Sequence, residues 1–281
     1  MISFDFEYYK PSTINEAVQL FYTLQIQKKR PIYFSGGTEI ITLGRLNLVT
    51  PEAVIDIHDI PECKVLQLDE YHLVMGAALT LTEIEKANVF PLLSKTASEV
   101  ADHTARNKIT LGGNICGKIF YREAVLPFLL TNSQVVIAGP SGIKRVPIQD
   151  VFYKQLRLQT GEFLVQIVTN RNDLSVPSVS IKKRRQWGTG YPLVTIAAMK
   201  TKEGIRAAFS GLCPFPFRSK QIEDDLNQTQ LPLEARIEHA IHHLPTPILN
   251  DTEGSSEYRI FVFKNTLQEI FTALEGEEHA Q

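Results

Sequence analysis

The sequence predicts an α+β protein, with a mixed region of helices and strands first and a smaller region of antiparallel sheet and helices after it. Three observations carry this. Apolar residues recur at helical spacing near the N-terminal end and again over 233–244 and 256–274. Between these lie short apolar runs bounded by Gly, Pro, Asn or Asp, the pattern of strands and turns. A polar stretch, Thr169-Asn170-Arg171-Asn172-Asp173, then interrupts the apolar runs and marks a boundary.

Taken in order, the first predicted element is a helix. Thr13 and Glu16 have capping-box spacing, and Ile14, Ala17, Val18, Phe21 and Leu24 fall on one face. Lys28, Lys29 and Arg30 suit its C-terminal dipole, and Pro31 stops it. Ile32–Phe34 and Ala53–Ile57 read as buried strands, so the opening resembles a small βαβ unit. Val65–Leu68 and His72–Ala78 flank Asp69-Glu70-Tyr71 as a hairpin. Thr82 and Glu85 are spaced to cap a further helix, and Leu92, Leu93, Ala97, Val100 and Ala101 share a face of another. Val125–Leu130 reads as a short buried helix. Gln134–Ala138 and Ile143–Val146 flank the turn Gly139-Pro140-Ser141-Gly142, and Phe163–Val168 is a strand. Beyond the boundary come a strand over Ser178–Lys182 and a hairpin, Leu193–Lys200 and Ile205–Phe209, around Lys202-Glu203-Gly204. Helices over Leu233–Leu244 and Ser256–Leu274 close the pattern. There is no internal repeat and no low-complexity segment.

Length and composition bound the function. The 281 residues suffice for one large domain or two moderate ones, and 43% hydrophobic against 21% charged residues excludes a disordered chain. A formal net charge of −2 gives no global attraction for nucleic acid. No apolar run approaches the ~20 residues that span a bilayer. The opening residues lack the basic and apolar regions of a signal peptide, so a soluble, cytoplasmic protein is expected. Cys63, Cys116 and Cys213 are scattered and form no metal or iron–sulfur motif. His239 and His243 are four apart on a helix but have no evident third ligand. No nucleophile elbow or Cys–His arrangement appears, so the chain offers no catalytic residue of its own and its chemistry would come from a cofactor.

Two glycine pairs say most about that cofactor: Ser35-Gly36-Gly37-Thr38-Glu39 and Thr110-Leu111-Gly112-Gly113-Asn114. Paired glycines beside a hydroxyl residue make a tight turn with bare N–H groups, the geometry of a phosphate nest. Two such turns suggest one diphosphate gripped from two sides, hence a large nucleotide. Neither is a Rossmann GxGxxG or a Walker A loop. The first pair also fits a plain strand-to-helix turn, and Glu39 beside a phosphate must turn away or accept hydrogen bonds from the loop. Arg106-Asn107-Lys108 lies just upstream of the second pair, either as phosphate donors or as a solvated surface, and Asn114 can both donate and accept. The run Lys182-Lys183-Arg184-Arg185-Gln186-Trp187 places cations at a strand end or forms a solvated face. Tyr191, beside Gly190, either lies flat on a planar ring or is a core tyrosine.

With these residues the chain resembles the FAD-binding medium subunit of the molybdenum hydroxylases, the group of xanthine dehydrogenase and carbon monoxide dehydrogenase flavoproteins. The likeness covers nearly the whole length. Ser35–Glu39 matches the family's Ala/Ser-Gly-Gly-Thr-Asp/Glu loop, and Thr110–Asn114 its Thr-Ile/Leu-Gly-Gly-Asn loop, preceded by the Arg-Asn pair Arg106-Asn107. Lys182–Arg185 and Tyr191–Val194 match a basic strand followed by Tyr-x-x-Val. Asn114-Ile115-Cys116 resembles the purine-oxidising branch.

The resemblance implies a vanillyl-alcohol-oxidase-type (PCMH-type) FAD-binding domain over 1–172, divided near residue 57, and a small α+β domain over 173–281. It implies FAD as cofactor. Ser35, Gly36, Gly37, Thr38, Glu39 and Ile40, with Arg106 and Asn107, would cradle the pyrophosphate together with the second loop. Gly112 belongs to that loop; Thr110, Gly113 and Asn114 would reach the ribityl chain or flavin, Tyr191 would lie near the isoalloxazine, and Lys182 would be a further cofactor-binding residue. Glu123 stands where relatives hold the adenosine ribose. The family has small residues between that loop and the acid; here stand Lys118, Ile119, Phe120, Tyr121 and Arg122. The implied activity is electron transfer: a molybdenum-cofactor large subunit oxidises the substrate, a 2Fe–2S small subunit passes electrons to FAD, and NAD+ or another acceptor takes them. A stand-alone flavin oxidoreductase and a non-catalytic assembly subunit that has lost FAD are the alternatives.

Overall fold

The computed structural model describes residues 2–185 and 190–276, so Gln186 and Trp187 of the basic run lie outside the described residues. The chain opens on a strand, not on the predicted helix. β1 (Glu7–Tyr9), α1 (Ile14–Ile26), β2 (Pro31–Phe34), α2 (Thr38–Arg45) and β3 (Ala53–Asp56) form the first layer. Its sheet is parallel with order β1-β3-β2. α1 starts where its cap is: the Thr13 side chain accepts from Glu16 N–H. Its buried face is Ile14, Ala17, Phe21 and Leu24. Pro31 opens the edge strand β2, a position where its missing N–H costs little.

The middle of the chain builds an antiparallel sheet. β4 (Leu66–Leu68) and β5 (His72–Gly76) precede the helices α3 (Leu81–Ala87), α4 (Pro91–Ser98), α5 (His103–Arg106), α6 (Leu111–Cys116) and α7 (Leu126–Leu130). Then come β6 (Gln134–Gly139), β7 (Gly142–Pro147), α8 (Ile148–Val151), the small hairpin β8 (Phe152–Tyr153) and β9 (Gln155–Leu156), and β10 (Phe163–Asn170). The order is β4-β5-β10-β6-β7, with β10 central. Central placement explains why β10 reads as an almost unbroken apolar run. Two residues of the polar stretch, Thr169 and Asn170, belong to β10, and Thr169 is fully buried.

The remainder is β11 (Ser178–Arg184), β12 (Pro192–Thr201), β13 (Gly204–Ser210), β14 (Phe217–Arg218), α9 (Lys220–Leu226), α10 (Leu233–His242) and α11 (Ser256–Gly276). Its strands pair in sequence order, β11-β12-β13-β14. Alternate residues of β12 serve different interiors. Ala197 and Met199 join the core under α3–α7, whereas Val194, Ile196 and Ala198 join the core under α9–α11, with Leu193 beside them before the alternation begins. A third cluster lies between α1, the parallel sheet and the facing strands, with Phe21, Tyr33 and Phe163 in ring contact. Arg259 of α11 is fully buried in the second core. Its guanidinium donates to the carbonyls of Pro192, Leu193 and Gly211 and to Asp251.

Two helix boundaries differ from expectation. The capping box is Thr80 with Glu83, two residues before the predicted Thr82 and Glu85. Overlapping Thr-x-x-Glu pairs share this stretch, and packing decides: Leu81, Thr82 and Ile84 are buried, which leaves Thr82 unable to cap. The helix expected to run to Ala101 stops at Ser98, and Ala101 takes a left-handed φ of 49°. Among the described residues no helix is long and apolar enough to cross a membrane.

Candidate functional site

The two glycine turns touch. Gly36 lies so close to the second turn that a Cβ there would sit 1.9 Å from the Lys108 carbonyl oxygen. Its N–H donates to Thr110 Oγ1 at 3.4 Å. The contact follows from topology. β2 delivers the first turn at the carboxyl end of the parallel sheet. The second turn is held against the middle sheet by Leu111 N–H to Leu79 O and Gly112 N–H to Ala77 O, both 2.8 Å.

The turns are not equivalent, and the second corrects the expectation of bare amides. Besides those two bonds, Gly113 N–H donates to Thr110 Oγ1 at 3.2 Å and Asn114 N–H to Thr110 O at 2.8 Å. All four N–H groups from Leu111 to Asn114 are therefore spent within the protein. Gly112 is small because Ala77 packs on it, with 2.6 Å between an added Cβ and the Ala77 Cβ. Thr110 is fully buried and its hydroxyl oxygen accepts from both turns, so it clamps them together. Gly113 remains exposed with no side chain to cover it.

The first turn is open. Gly37 caps α2 with φ of 68°, and no side chain bonds the helix end. The first intrahelical bond is Ile41 N–H to Gly37 O, so the preceding amides face outward unpaired within the helix, at the positive end of its dipole. Ser35 Oγ is buried with no hydrogen-bond partner. A buried orphan hydroxyl beside an uncapped helix end fits an anionic group such as a pyrophosphate. Glu39 does not oppose it: its carboxylate accepts from Lys118 N–H at 2.7 Å and Ile119 N–H at 2.8 Å.

Other predicted residues are engaged elsewhere. Arg106 binds Glu85 at 3.1 Å and the carbonyls of Val100 and Ala101, so it ties α5 to α3 rather than facing solvent. Asn107 caps α5 and is exposed. Asn114 Oδ1 accepts from Ala124 N–H at 3.1 Å, which leaves its Nδ2 to offer a ligand. Glu123 and Lys182 do meet, but below the surface, at 4% and 2% side-chain exposure and 2.8 Å apart. The second Glu123 oxygen accepts from Thr195 Oγ1 at 2.6 Å, and Lys182 also donates to Glu99 O. Burial pushes the Lys182 pKa down against the pull of Glu123. A ribose hydroxyl would reach this carboxylate only in exchange for one of those partners, which corrects its expected place on the cofactor surface. Tyr191 is half-exposed, not a core residue, and one face of its ring is stacked on Tyr121.

Sequence reasoning missed two groupings. At the carboxyl end of β3, opposite Phe34, buried Asp56 is bonded by the Tyr8 hydroxyl and by His58 Nδ1 at 2.7 Å. Burial raises the Asp56 pKa, but the His58 and Tyr8 bonds outweigh it and hold the carboxyl below its usual range. The second is the Tyr121–Tyr191 stack. Only the bulky departure at Lys118–Arg122 signalled it.

Comparison with known proteins identifies the family. The sequence profile of a family described as the FAD binding domain in molybdopterin dehydrogenase matches residues 4–169. The nicotinate dehydrogenase FAD-subunit of Eubacterium barkeri is 27% identical over 290 residues, covering 96% of this chain and 95% of that one. The carbon monoxide dehydrogenase medium chain of Hydrogenophaga pseudoflava is 28% identical over 229 residues, 78% of each chain. The xanthine dehydrogenase FAD-binding subunit of Escherichia coli O157:H7 is 27% identical over 270 residues, 91% of this chain and 89% of that one. Among solved structures, carbon monoxide dehydrogenase from Hydrogenophaga pseudoflava superposes with a TM-score of 0.84 at 24% identity, over 98% of this chain and 99% of that one. Quinoline 2-oxidoreductase from Pseudomonas putida 86 gives 0.84 at 23% identity, with the same coverage. These two likenesses bear on the fold alone. The chain belongs to the family of FAD-binding domains of the molybdopterin dehydrogenases, and it is an FAD subunit of a molybdenum hydroxylase-type oxidoreductase.

Proposed function

We propose that this chain is the electron-transfer flavoprotein of a three-part molybdenum hydroxylase complex. Its partners would be a large subunit with the molybdenum cofactor and a small subunit with 2Fe–2S clusters. When bound, FAD supplies the redox step between those clusters and NAD+ or another acceptor. The observation that carries the reading is the contact of the two glycine turns beside the uncapped start of α2.

The roles divide accordingly. The amides that open α2, from Thr38 to Ile40, hold the pyrophosphate, with the Ser35 and Thr38 hydroxyls beside them. Thr110 and Gly112 hold the second turn in place, and bare Gly113 lets the cofactor approach. Asn114 offers Nδ2, and the free face of Tyr191 meets the isoalloxazine. Glu123 and Lys182 position the segment behind Asn114, since Ala124 carries the bond to its side chain. Residues 1–172 would form the FAD domain and 173–281 the smaller one. Asn114-Ile115-Cys116 favours a purine such as xanthine as substrate of the complex.

Purified chain should absorb near ~450 nm as oxidised flavin does, and release FAD identified by mass. A colourless protein that does not take up FAD refutes the reading. Co-purification with two further chains, and xanthine-dependent reduction of NAD+ by that complex, test the finer statements.

A further inference from the structure

The segment Lys118–Arg122 departs from the small residues of the family, and the structure shows it fastened along its length. At its start, Lys118 and Ile119 N–H donate to Glu39, from the helix of the first glycine turn. At its end Arg122 takes a left-handed φ of 31°, and its guanidinium donates to Gly117 O at 2.9 Å and to Lys154 O. Between them, Ser210 Oγ of β13 donates to the Tyr121 carbonyl. The fastened segment delivers one ring to a defined place. Tyr121 is 6% exposed and lies under Tyr191, with ring centroids 4.6 Å apart and planes 15° from parallel. Phe120 backs Tyr121, centroids 4.5 Å apart. Tyr191 itself is 51% exposed, so with one face covered its other face is the open one.

We propose that Tyr121 is a positioning residue for the flavin, a fixed ring that holds Tyr191 with its open face toward the isoalloxazine. This rests on the reading that Tyr191 meets the flavin. An unsupported half-exposed tyrosine at a strand start samples several rotamers; a parallel ring beneath it selects one. The bulky stretch is then part of the cofactor site rather than a sign of its loss. It ties the pyrophosphate turn to the flavin end of the site, because Glu39 on α2 anchors the same segment that carries Tyr121.

The test uses the full chain loaded with FAD and four variants: Tyr191→Ala, Tyr121→Leu, Tyr121→Ala and Tyr121→Phe. A tyrosine stacked on an isoalloxazine quenches its fluorescence by electron donation. Tyr191→Ala should raise the fluorescence of bound flavin. Tyr121→Leu, which keeps an apolar filling and protects against misfolding, and Tyr121→Ala should do the same and weaken FAD about 2- to 10-fold, the worth of one aromatic pair. Tyr121→Phe should behave as wild type. If Tyr191→Ala brightens the flavin and Tyr121→Leu does not, the positioning role is overturned while the place of Tyr191 stands. If Tyr191→Ala leaves the fluorescence unchanged, Tyr191 does not meet the flavin and both ideas fall. If Tyr121→Phe is as damaging as Tyr121→Leu, the hydroxyl rather than the ring matters, and the proposal is overturned.

Discussion

Gly36→Ala strikes the contact on which the site depends. The added Cβ would lie 1.9 Å from the Lys108 carbonyl and 3.0 Å from Thr110 N, both backbone atoms of the second turn. Neither can swing aside as a side-chain end would, so the turns must separate by about an ångström. Forced packing of this kind costs roughly 1–3 kcal/mol. For a chain of this size that lowers Tm by about 2–5 °C. The Gly36 N–H to Thr110 bond would break as well, and the start of α2 would shift from its place. Loss of one charge-assisted bond to the pyrophosphate, worth about 1.5–3 kcal/mol, weakens FAD by about 10- to 100-fold. Thermal unfolding without FAD and flavin titration separate the two effects. Gly190→Ala is the stability control, because its Cβ meets nothing within 4 Å, and it should unfold within about 0.5 kcal/mol of wild type. An unchanged Tm and unchanged FAD affinity in Gly36→Ala would show that the turns do not depend on each other.

Thr110→Val removes the oxygen that accepts from Gly36 and Gly113 and should cost about 1–2 kcal/mol, with Thr110→Ser restoring stability in the same urea titration. Lys182→Met or Glu123→Leu alone strands a buried charge and should cost about 3–5 kcal/mol, whereas the double variant recovers most of that loss; equal losses in all three would deny the pairing. Burial raises the Asp251 pKa, but bonds from Arg259, Glu253 N–H and Gly254 N–H hold it below the usual range. Its contribution is therefore complete above the ordinary aspartate pKa and lost as pH falls through the lower folded value. Urea stability followed from about pH 5 down to about pH 2 should fall less steeply in Asp251→Asn than in wild type.

How much of this was legible depends on which interactions are local. α1 could be read because its cap and apolar stripe lie within one short stretch. The hairpin at Gly139–Gly142 could be read because its turn residues stand between two apolar runs. The glycine turns showed themselves by composition, but not which of them keeps free amides. That depends on Ala77, Leu79 and Thr110, partners that only the folded sheet brings close. The Thr82–Glu85 cap was misread because two boxes overlap and burial chooses between them. Arg259 gave no signal at all. It sits in an ordinary helical pattern, and the carbonyls it satisfies belong to β12 and to Gly211, distant in sequence. Glu123 and Lys182 were found through the family likeness, yet their mutual bond spans 59 positions and no spacing rule reaches that far.

The division of β12 between two interiors has a kinetic corollary. From Val194 to Met199 its even- and odd-numbered residues report to different cores, so a one-position slip against β11 or β13 would swap the two sets. Such an error would spoil both interiors at once instead of leaving one sound. A nascent chain that pairs these strands out of step therefore gains almost nothing by staying there, and proofreading of the central hairpin is built into its own double-sided burial.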